Sequence, residues 1–283
     1  MGLDLNALQL LIVAGLGGVR FDCTATIGRQ ALMVTKSDLK WLQRDLGFLN
    51  SEGSVDALLG SCRSLAEPLV ECLGAKEVTS IDVSDYEGAS VMHDMNVPIG
   101  PDFEGRFDVV MDGGSLEHVF NVREAITNCL RMVKKGGHFI SWSPAINACG
   151  HGFYQFGPDF FYGVLQECNG FRVERMLVYE PRAGSLFYEV PDPASCTERL
   201  NVWSDSEASL FVQARKIEEV QILTAAPQQF WWMSKWDSSP GDYGKSRSPR
   251  FRWMRQCVEQ CQRKVPVALD RRVRVVQKLF IVG

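Results

Sequence analysis

The sequence predicts an α/β chain built on a doubly wound parallel sheet, and three observations carry that prediction. Residues 107–142 hold two apolar runs of strand length, Phe107–Met111 and His138–Trp142, on either side of a helix-period pattern. Upstream, Glu77–Val83 is another strand-length run, preceded by a helical stretch, Leu65–Leu73, that stops at Gly74. Downstream, Phe171–Tyr179 and Ser209–Ala214 read as two more strands joined by a long loop containing Pro191 and Pro193. Ligands of open parallel sheets bind beyond the carboxyl ends of the strands, so chemistry is expected in the loop Asp112–Val119.

Each element has a local reason. Leu8–Ala14 is an apolar helix with no basic leader, too short to span a bilayer, and is expected to pack on the domain. Phe21–Ile27 alternates apolar and polar residues like a strand and runs into Gly28-Arg29-Gln30. Ser37–Phe48 is an amphipathic helix with Leu39, Trp41, Leu42 and Leu46, and Asn50–Ser61 reads as loop. Ser90–Met95 is a short third strand, followed by a polar turn region, Pro98–Gly105.

In the helix between the two central strands, Asn121 is the expected cap, with Glu124 reaching back to the cap amide. Val122, Ile126, Cys129, Leu130 and Val133 share a face, Lys134 and Lys135 sit at the negative end of the dipole, and Gly136-Gly137 is the expected stop. Asn147–Gly157 is rich in glycine and aromatics. Pro158 then starts a helix, Phe160–Cys168, that ends at Asn169-Gly170. Toward the C-terminus stand an aromatic cluster (Phe230, Trp231, Trp232, Trp236), a turn-rich linker (Ser238–Ser248), a helix (Phe251–Arg263) and a strand or short helix (Val273–Val282). The expected organisation is an N-terminal helical extension over 1–20, the main domain over 21–224 and an aromatic, basic segment over 225–283.

Composition narrows the class. Of 283 residues, 46% are apolar and 23% charged, as in an ordinary soluble globular protein, and the net charge of −4 argues against general nucleic-acid binding. The charge is uneven: residues 225–283 hold 12 Lys/Arg and 4 Asp/Glu, a balance of +8 that leaves −12 for the rest. Nine cysteines are scattered with no C-x-x-C pair and no zinc-like Cys/His spacing, so reduced thiols in a cytoplasmic protein and no metal site are expected.

In order and spacing, "FDVV", a loop ending "LEHV", the following helix and the turn "KKGGHFI" resemble the second half of a class I S-adenosylmethionine-dependent methyltransferase, over roughly residues 60–180. The resemblance implies a Rossmann-like methyltransferase sheet with an antiparallel closing strand, and S-adenosylmethionine as cofactor. It implies that Asp82, with Val83 beside it, holds the ribose hydroxyls, Asp85 being the alternative. Asp94 and Met95 are then expected at the adenine, and Asp112, Gly113 and Gly114 along the methionine portion. The sequence departs from the family at the first turn, since no G-x-G-x-G precedes Leu65. Gly28 in Thr26-Ile27-Gly28-Arg29-Gln30 is the nearest candidate. Ala57-Leu58-Leu59-Gly60-Ser61 is an alternative first strand and turn, and Gly15-Leu16-Gly17-Gly18 is glycine-rich but lacks a following helix.

Methyl transfer to a hydroxyl needs an aligned lone pair and a base for its proton. His118, beside Glu117, and His151, in Gly150-His151-Gly152-Phe153-Tyr154-Gln155-Phe156, are the candidate bases. Glu117, Tyr154 and Gln155 are the candidate substrate contacts, while His93 and His138 lie in or beside strands and are expected to be structural. The bland alternatives stand beside these: the "EH" pair recurs among methyltransferases with very different substrates, and the 150–156 stretch could be a structural loop. The expected activity is methylation of an oxygen or nitrogen of a small molecule, a sugar or natural-product intermediate, with no membrane or nucleic-acid partner. A methyltransferase-like fold acting as an inactive binding or assembly subunit is the alternative. A third reading is RNA modification, through Arg247, Arg250, Arg252 and Arg255 interleaved with Phe251 and Trp253. The same basic segment could instead pair copies of the chain in a homo-oligomer.

Overall fold

The computed structural model describes residues 2–48, 53–62, 65–196 and 199–236. In chain order these form β1 (Gly2–Leu3), α1 (Leu5–Leu16), β2 (Cys23–Ile27), β3 (Ala31–Leu32), α2 (Lys36–Leu46), α3 (Gly53–Cys62), α4 (Glu67–Cys72), β4 (Glu77–Asp82), β5 (Val91–Met92) and β6 (Phe107–Asp112). There follow α5 (Val122–Met132), β7 (Val133–Ile146), α6 (Pro158–Val164), β8 (Phe171–Tyr179), β9 (Tyr188–Glu189), β10 (Ala208–Lys216) and α7 (Phe230–Trp236).

The main sheet has eight strands in the order β5-β4-β2-β6-β7-β10-β8-β9. β2 pairs in parallel with both β4 and β6, and β7 is parallel to β6. β10 slots in antiparallel between β7 and β8, which is the expected closing arrangement. Every residue of β6 is buried, because helices cover both faces of the sheet. Val109 and Met111 pack with α1, α2 and α4 on one side; Phe107 and Val110 pack with α5 and α6 on the other. The two-residue strand β1 pairs with β3, and the Trp142 indole N–H donates to the Gly2 carbonyl at 3.1 Å, so the start of the chain is fastened beside the sheet. α1 is buried along Asn6–Ala14 and belongs to the core.

Several local expectations need correction. Residues 53–62 form α3 where a loop is expected, and Ala57–Ser61 lies inside that helix, so it cannot be the first strand. Leu58 and Val55 are buried in the core while Gly60 is exposed, so packing holds a helix whose glycine and serines suggest a turn. α5 ends at Met132, before the expected Gly136-Gly137 stop. Both glycines lie inside β7, and a Cβ on Gly137 would come within 2.6 Å of the Asp108 carbonyl. Lys134 and Lys135 therefore serve the strand, pairing with Asp108 and Glu218 instead of with the helix dipole.

Asn121 occupies the cap position of α5 without a side-chain cap bond. Its own N–H donates to Asn96 Oδ1 at 2.9 Å and its side-chain amide to the Asn96 carbonyl at 3.0 Å, so the helix start is tied to the loop after β5. By contrast, α2 carries a complete capping box from Thr35 and Asp38 and ends at Gly47 in the left-handed conformation (φ 67°). The expected helix 251–263, the segment 273–282 and the basic tail lie outside the described residues.

Candidate active site

The chain crosses from β2 outward to β4 and β5, then returns to β6 on the other side. The carboxyl ends of β2 and β6 therefore flank the topological switch point, where open sheets bind ligands. Gly28 turns the chain there with φ 71°, donating its N–H to the Ile81 carbonyl at 2.7 Å. A Cβ at Gly28 would come within 2.6 Å of Ser115 Oγ, which itself donates to the Ile27 carbonyl at 2.8 Å. The turn after β2 and the loop after β6 thus approach so closely that only glycine fits.

The residues after Gly28 brace this turn. Arg29 pairs through Nε with Glu67 at 2.6 Å and donates from Nη1 to the carbonyls of Glu87 and Gly88 at 2.7 and 2.8 Å, tying β2 to the turn after β4. Gln30 Nε2 donates to the Ile27 carbonyl at 2.7 Å. Gln30 Oε1, Thr26 Oγ1 and Glu67 Oε2 are buried without a hydrogen-bond partner among the described residues, and their residues line a cavity of about 10 Å³, room for about one water. Gly113 packs directly on this brace, since a Cβ there would lie 2.1 Å from Gln30 Oε1 and 2.6 Å from the Trp142 ring.

Along the neighbouring edge, Asp82 ends β4 half-buried, with Oδ1 accepting only from Ser84 N at 3.2 Å among the described residues. Val83, Tyr86 and Met92 are left 68%, 92% and 66% exposed at the ends of β4 and β5, an apolar edge beside a carboxylate. Asp94 is exposed and accepts from the backbone and side-chain N–H groups of Asn96 at 2.9 and 2.7 Å. The backbone bond first, and then the side-chain bond, holds its carboxyl below the usual range. Met95 is buried against the α5 side of the core.

Two buried carboxylates follow β6. Asp112 accepts from Ser115 N at 2.9 Å, Leu116 N at 3.1 Å and Ser141 Oγ at 2.8 Å, which folds the loop back over the strand end. Gly114 permits that fold with φ 85°. Burial is nonetheless the largest influence on Asp112 and raises its pKa. Glu117, in the short 3₁₀ turn Leu116–His118, is fully buried, and neither carboxylate oxygen has a hydrogen-bond partner among the described residues. Burial first, then the charge of Asp112, pushes its pKa up to about 8. Burial, and then His151, lowers the pKa of exposed His118.

His151 arrives over Glu117 on the loop after β7. Phe153 N and Tyr154 N both donate to the Glu117 carbonyl, at 2.8 and 3.2 Å. Gly152 makes this approach sterically feasible, as a Cβ there would lie 2.8 Å from that carbonyl oxygen. His151 Nε2 then stands 3.7 Å from Glu117 Oε1, and the His118 and His151 rings are 5.1 Å apart. Tyr154 donates its hydroxyl to the Phe120 carbonyl at 2.7 Å, and Gln155 Oε1 accepts from Ala148 N at 3.0 Å, so both side chains brace the loop. Phe120 and Phe153, 70% and 66% exposed and in edge contact at 5.6 Å, form an apolar lip that sequence reasoning missed. Two exposed phenylalanines flanking the "LEHV" and "GHGFY" stretches were the available signal.

The fold therefore brings Glu117, His118 and His151 together and places Gly28 beside Ser115 and Gly113 beside Gln30. Asp82 and Asp94 stand along the neighbouring strand ends. His138 lies elsewhere, paired with Glu174 at 3.2 Å, and His93 bonds the Val97 carbonyl at 3.1 Å, in keeping with structural roles.

Residues 59–141 match the methyltransferase domain family. No curated protein sequence matches the chain. Among solved structures, the N-methyltransferase NodS of Bradyrhizobium japonicum shares 15% identity, with 75% of this chain and 96% of that one covered and a TM-score of 0.40. A Burkholderia thailandensis 1,6-didemethyltoxoflavin-N1-methyltransferase with bound S-adenosylhomocysteine shares 14%, covering 76% and 78% at a TM-score of 0.38. A branched-chain polyamine synthase of Thermus thermophilus shares 10%, covering 81% and 61% at a TM-score of 0.40. This segment is thus similar to methyltransferase domains, for which S-adenosylmethionine is the expected cofactor. The carboxyl edge fits that cofactor chemically, with an acceptor-rich carboxylate and exposed apolar side chains at β4 and β5 and glycines at the β2 and β6 ends.

Proposed function

We propose that the protein methylates an oxygen or nitrogen of a small, ring-bearing molecule such as a sugar or natural-product intermediate. The observation that carries this reading is the Glu117 carboxylate, without a hydrogen-bond partner among the described residues, beneath His118 and His151, at the carboxyl end of the central strand and next to the aromatic lip. When bound, S-adenosylmethionine supplies an electrophilic methyl group on a sulfonium.

The chain's part is binding, orientation and the fate of one proton. Asp82 is assigned to the ribose hydroxyls, a paired acceptor for a vicinal diol, and Val83, Tyr86 and Met92 to the apolar rim around the base. Asp94 and Met95 border the same rim. Gly113 and Gly114 let the backbone run close to the methionine portion, and Gly28, braced by Arg29 and Gln30, closes that side of the cleft. Phe120 and Phe153 supply faces for the acceptor ring. His118 or His151 can accept the acceptor's hydroxyl proton, His118 being held neutral by burial and then by its neighbour His151, and Glu117 lies buried beside them.

A second reading has one observation in its favour. Gln30 packs against Gly113 where the family's first turn carries G-x-G-x-G, which suits a fold that no longer binds cofactor. Calorimetric titration with S-adenosylmethionine and S-adenosylhomocysteine separates the two. Saturable binding is expected, weakened in Asp82→Ala by about 1–3 kcal/mol through loss of a charged hydrogen-bond acceptor. No heat at millimolar ligand selects the inactive reading; unchanged affinity in Asp82→Ala moves the ribose contact to another carboxylate.

A further inference from the structure

We propose that Glu117, His118 and His151 form a binding site for a divalent transition-metal cation of the zinc class, open toward the acceptor. The donor atoms, one carboxylate oxygen and two imidazole nitrogens, all lie within 4.8 Å of one another. Linear sequence gives no hint of this set, because His151 is remote from the adjacent pair Glu117-His118.

The strongest support is the state of Glu117. Its side chain is 0% exposed, and among the described residues both its oxygens lack a hydrogen-bond partner. Buried carboxylates ordinarily collect donors, as Asp112 does with three. At 3.7 Å the nearest His151 nitrogen is too far for a hydrogen bond. A cation is the partner that satisfies a buried carboxylate and two imidazoles at once.

The distances suit it. Zinc–oxygen and zinc–nitrogen bonds of about 2.0–2.2 Å put the ligand atoms of a tetrahedral site about 3.4 Å apart. The 3.7 Å separation needs almost no change, and the wider ones close by small rotations of two rings that lie on the exposed side. The backbone is already fixed, because Phe153 and Tyr154 donate to the Glu117 carbonyl and Gly152 sits against it. Two imidazoles and one carboxylate favour zinc, manganese, cobalt or iron(II) over magnesium or calcium, which prefer all-oxygen sets. Three protein ligands leave a position free, the pattern of a site that takes an exogenous ligand.

With the cation bound the two imidazoles are ligands rather than bases, and an acceptor hydroxyl or carboxylate oxygen in that position would be oriented and its hydroxyl made acidic enough to lose the proton to solvent water. This role rests on the methyl-transfer reading above, while the cation site itself does not. Acceptors that present a hydroxyl or carboxylate oxygen are the substrate class it selects.

Cobalt(II) is the probe, added to full-length protein stripped with a chelator. The expected result is one saturable site per chain with weak visible d–d absorption and no thiolate charge-transfer band. His118→Ala and His151→Ala, both surface changes, should each weaken binding at least about tenfold, and Glu117→Gln likewise where its thermal unfolding remains cooperative. His138→Ala, at a separate histidine, should bind as the wild type does. Absence of saturable binding, equal affinity in the two histidine variants, or a thiolate band marking capture by cysteine overturns the site. Parallel calorimetry with S-adenosylmethionine keeps the outcomes apart: cofactor binding without cobalt binding removes the metal alone, and cobalt binding without cofactor binding removes the methyl-transfer role alone.

Discussion

Asp112 and Glu117 belong to one loop, both are fully buried, and their environments are opposite. Asp112 accepts three hydrogen bonds that fold the loop onto the strand end; Glu117 accepts none at its carboxylate among the described residues and meets two histidine rings instead. A buried carboxylate with all its donors holds structure. One without donors is a cost that folding alone does not explain, and at a switch point it is the place to look for chemistry.

The largest expected effect tests the structural half of this comparison. Asp112→Ala should destabilise the fold by about 4 kcal/mol, since it strands two backbone N–H groups and the Ser141 hydroxyl in a dry interior; urea unfolding measures it. A loss under about 1 kcal/mol would mean that water replaces the carboxylate and that the two sites differ less than the geometry indicates.

A smaller effect tests the other half. In metal-free protein the folded-state pKa of Glu117, about 8, lies above the ordinary carboxylate value, so its contribution is fully present in acid and lost as pH rises toward 8. Stability should fall by at most about 1.4 kcal/mol per pH unit across that window, and Glu117→Gln should flatten the slope. Thermal unfolding at pH 5, 6, 7 and 8 decides it, and an unchanged slope in the variant would assign the titration to another group.

The smallest stability effect lies where the two regions meet. Gly152→Ala places a Cβ against the Glu117 carbonyl and should cost about 1 kcal/mol while shifting His151 off the carboxylate. Turnover should drop with cofactor affinity unchanged. Retained turnover would show that the loop tolerates the displacement and that His151 need not sit where it does.

The legible parts of the sequence were those whose cause is local. The strand Phe107–Asp112 was visible through its largely apolar run Phe107–Met111, because a parallel strand is buried on both faces. α2 was visible because its apolar side chains recur with helical period, and Gly28 was visible as a turn because only glycine takes a positive φ cheaply. α3 was misread since its helicity comes from burying Val55 and Leu58 rather than from its own propensities. The end of α5 was misplaced because Gly136 and Gly137 look like a helix stop. What requires glycine at 137 is the close approach of β7 to β6, a contact between strands that no local window contains.

By itself the sequence determined the sheet, the loop after its central strand and the candidate carboxylates and histidines, because these follow from hydrophobic period and residue chemistry. Only the tertiary structure decided which of them meet. It satisfied Asp112 with Ser141 from the next strand, spent Gln155 and the Tyr154 hydroxyl on bracing a loop, and set His151 over Glu117 through the gap that Gly152 leaves. Those outcomes depend on contacts between residues far apart in the chain, and the donors that reach a buried carboxylate are fixed by packing rather than by its neighbours in sequence.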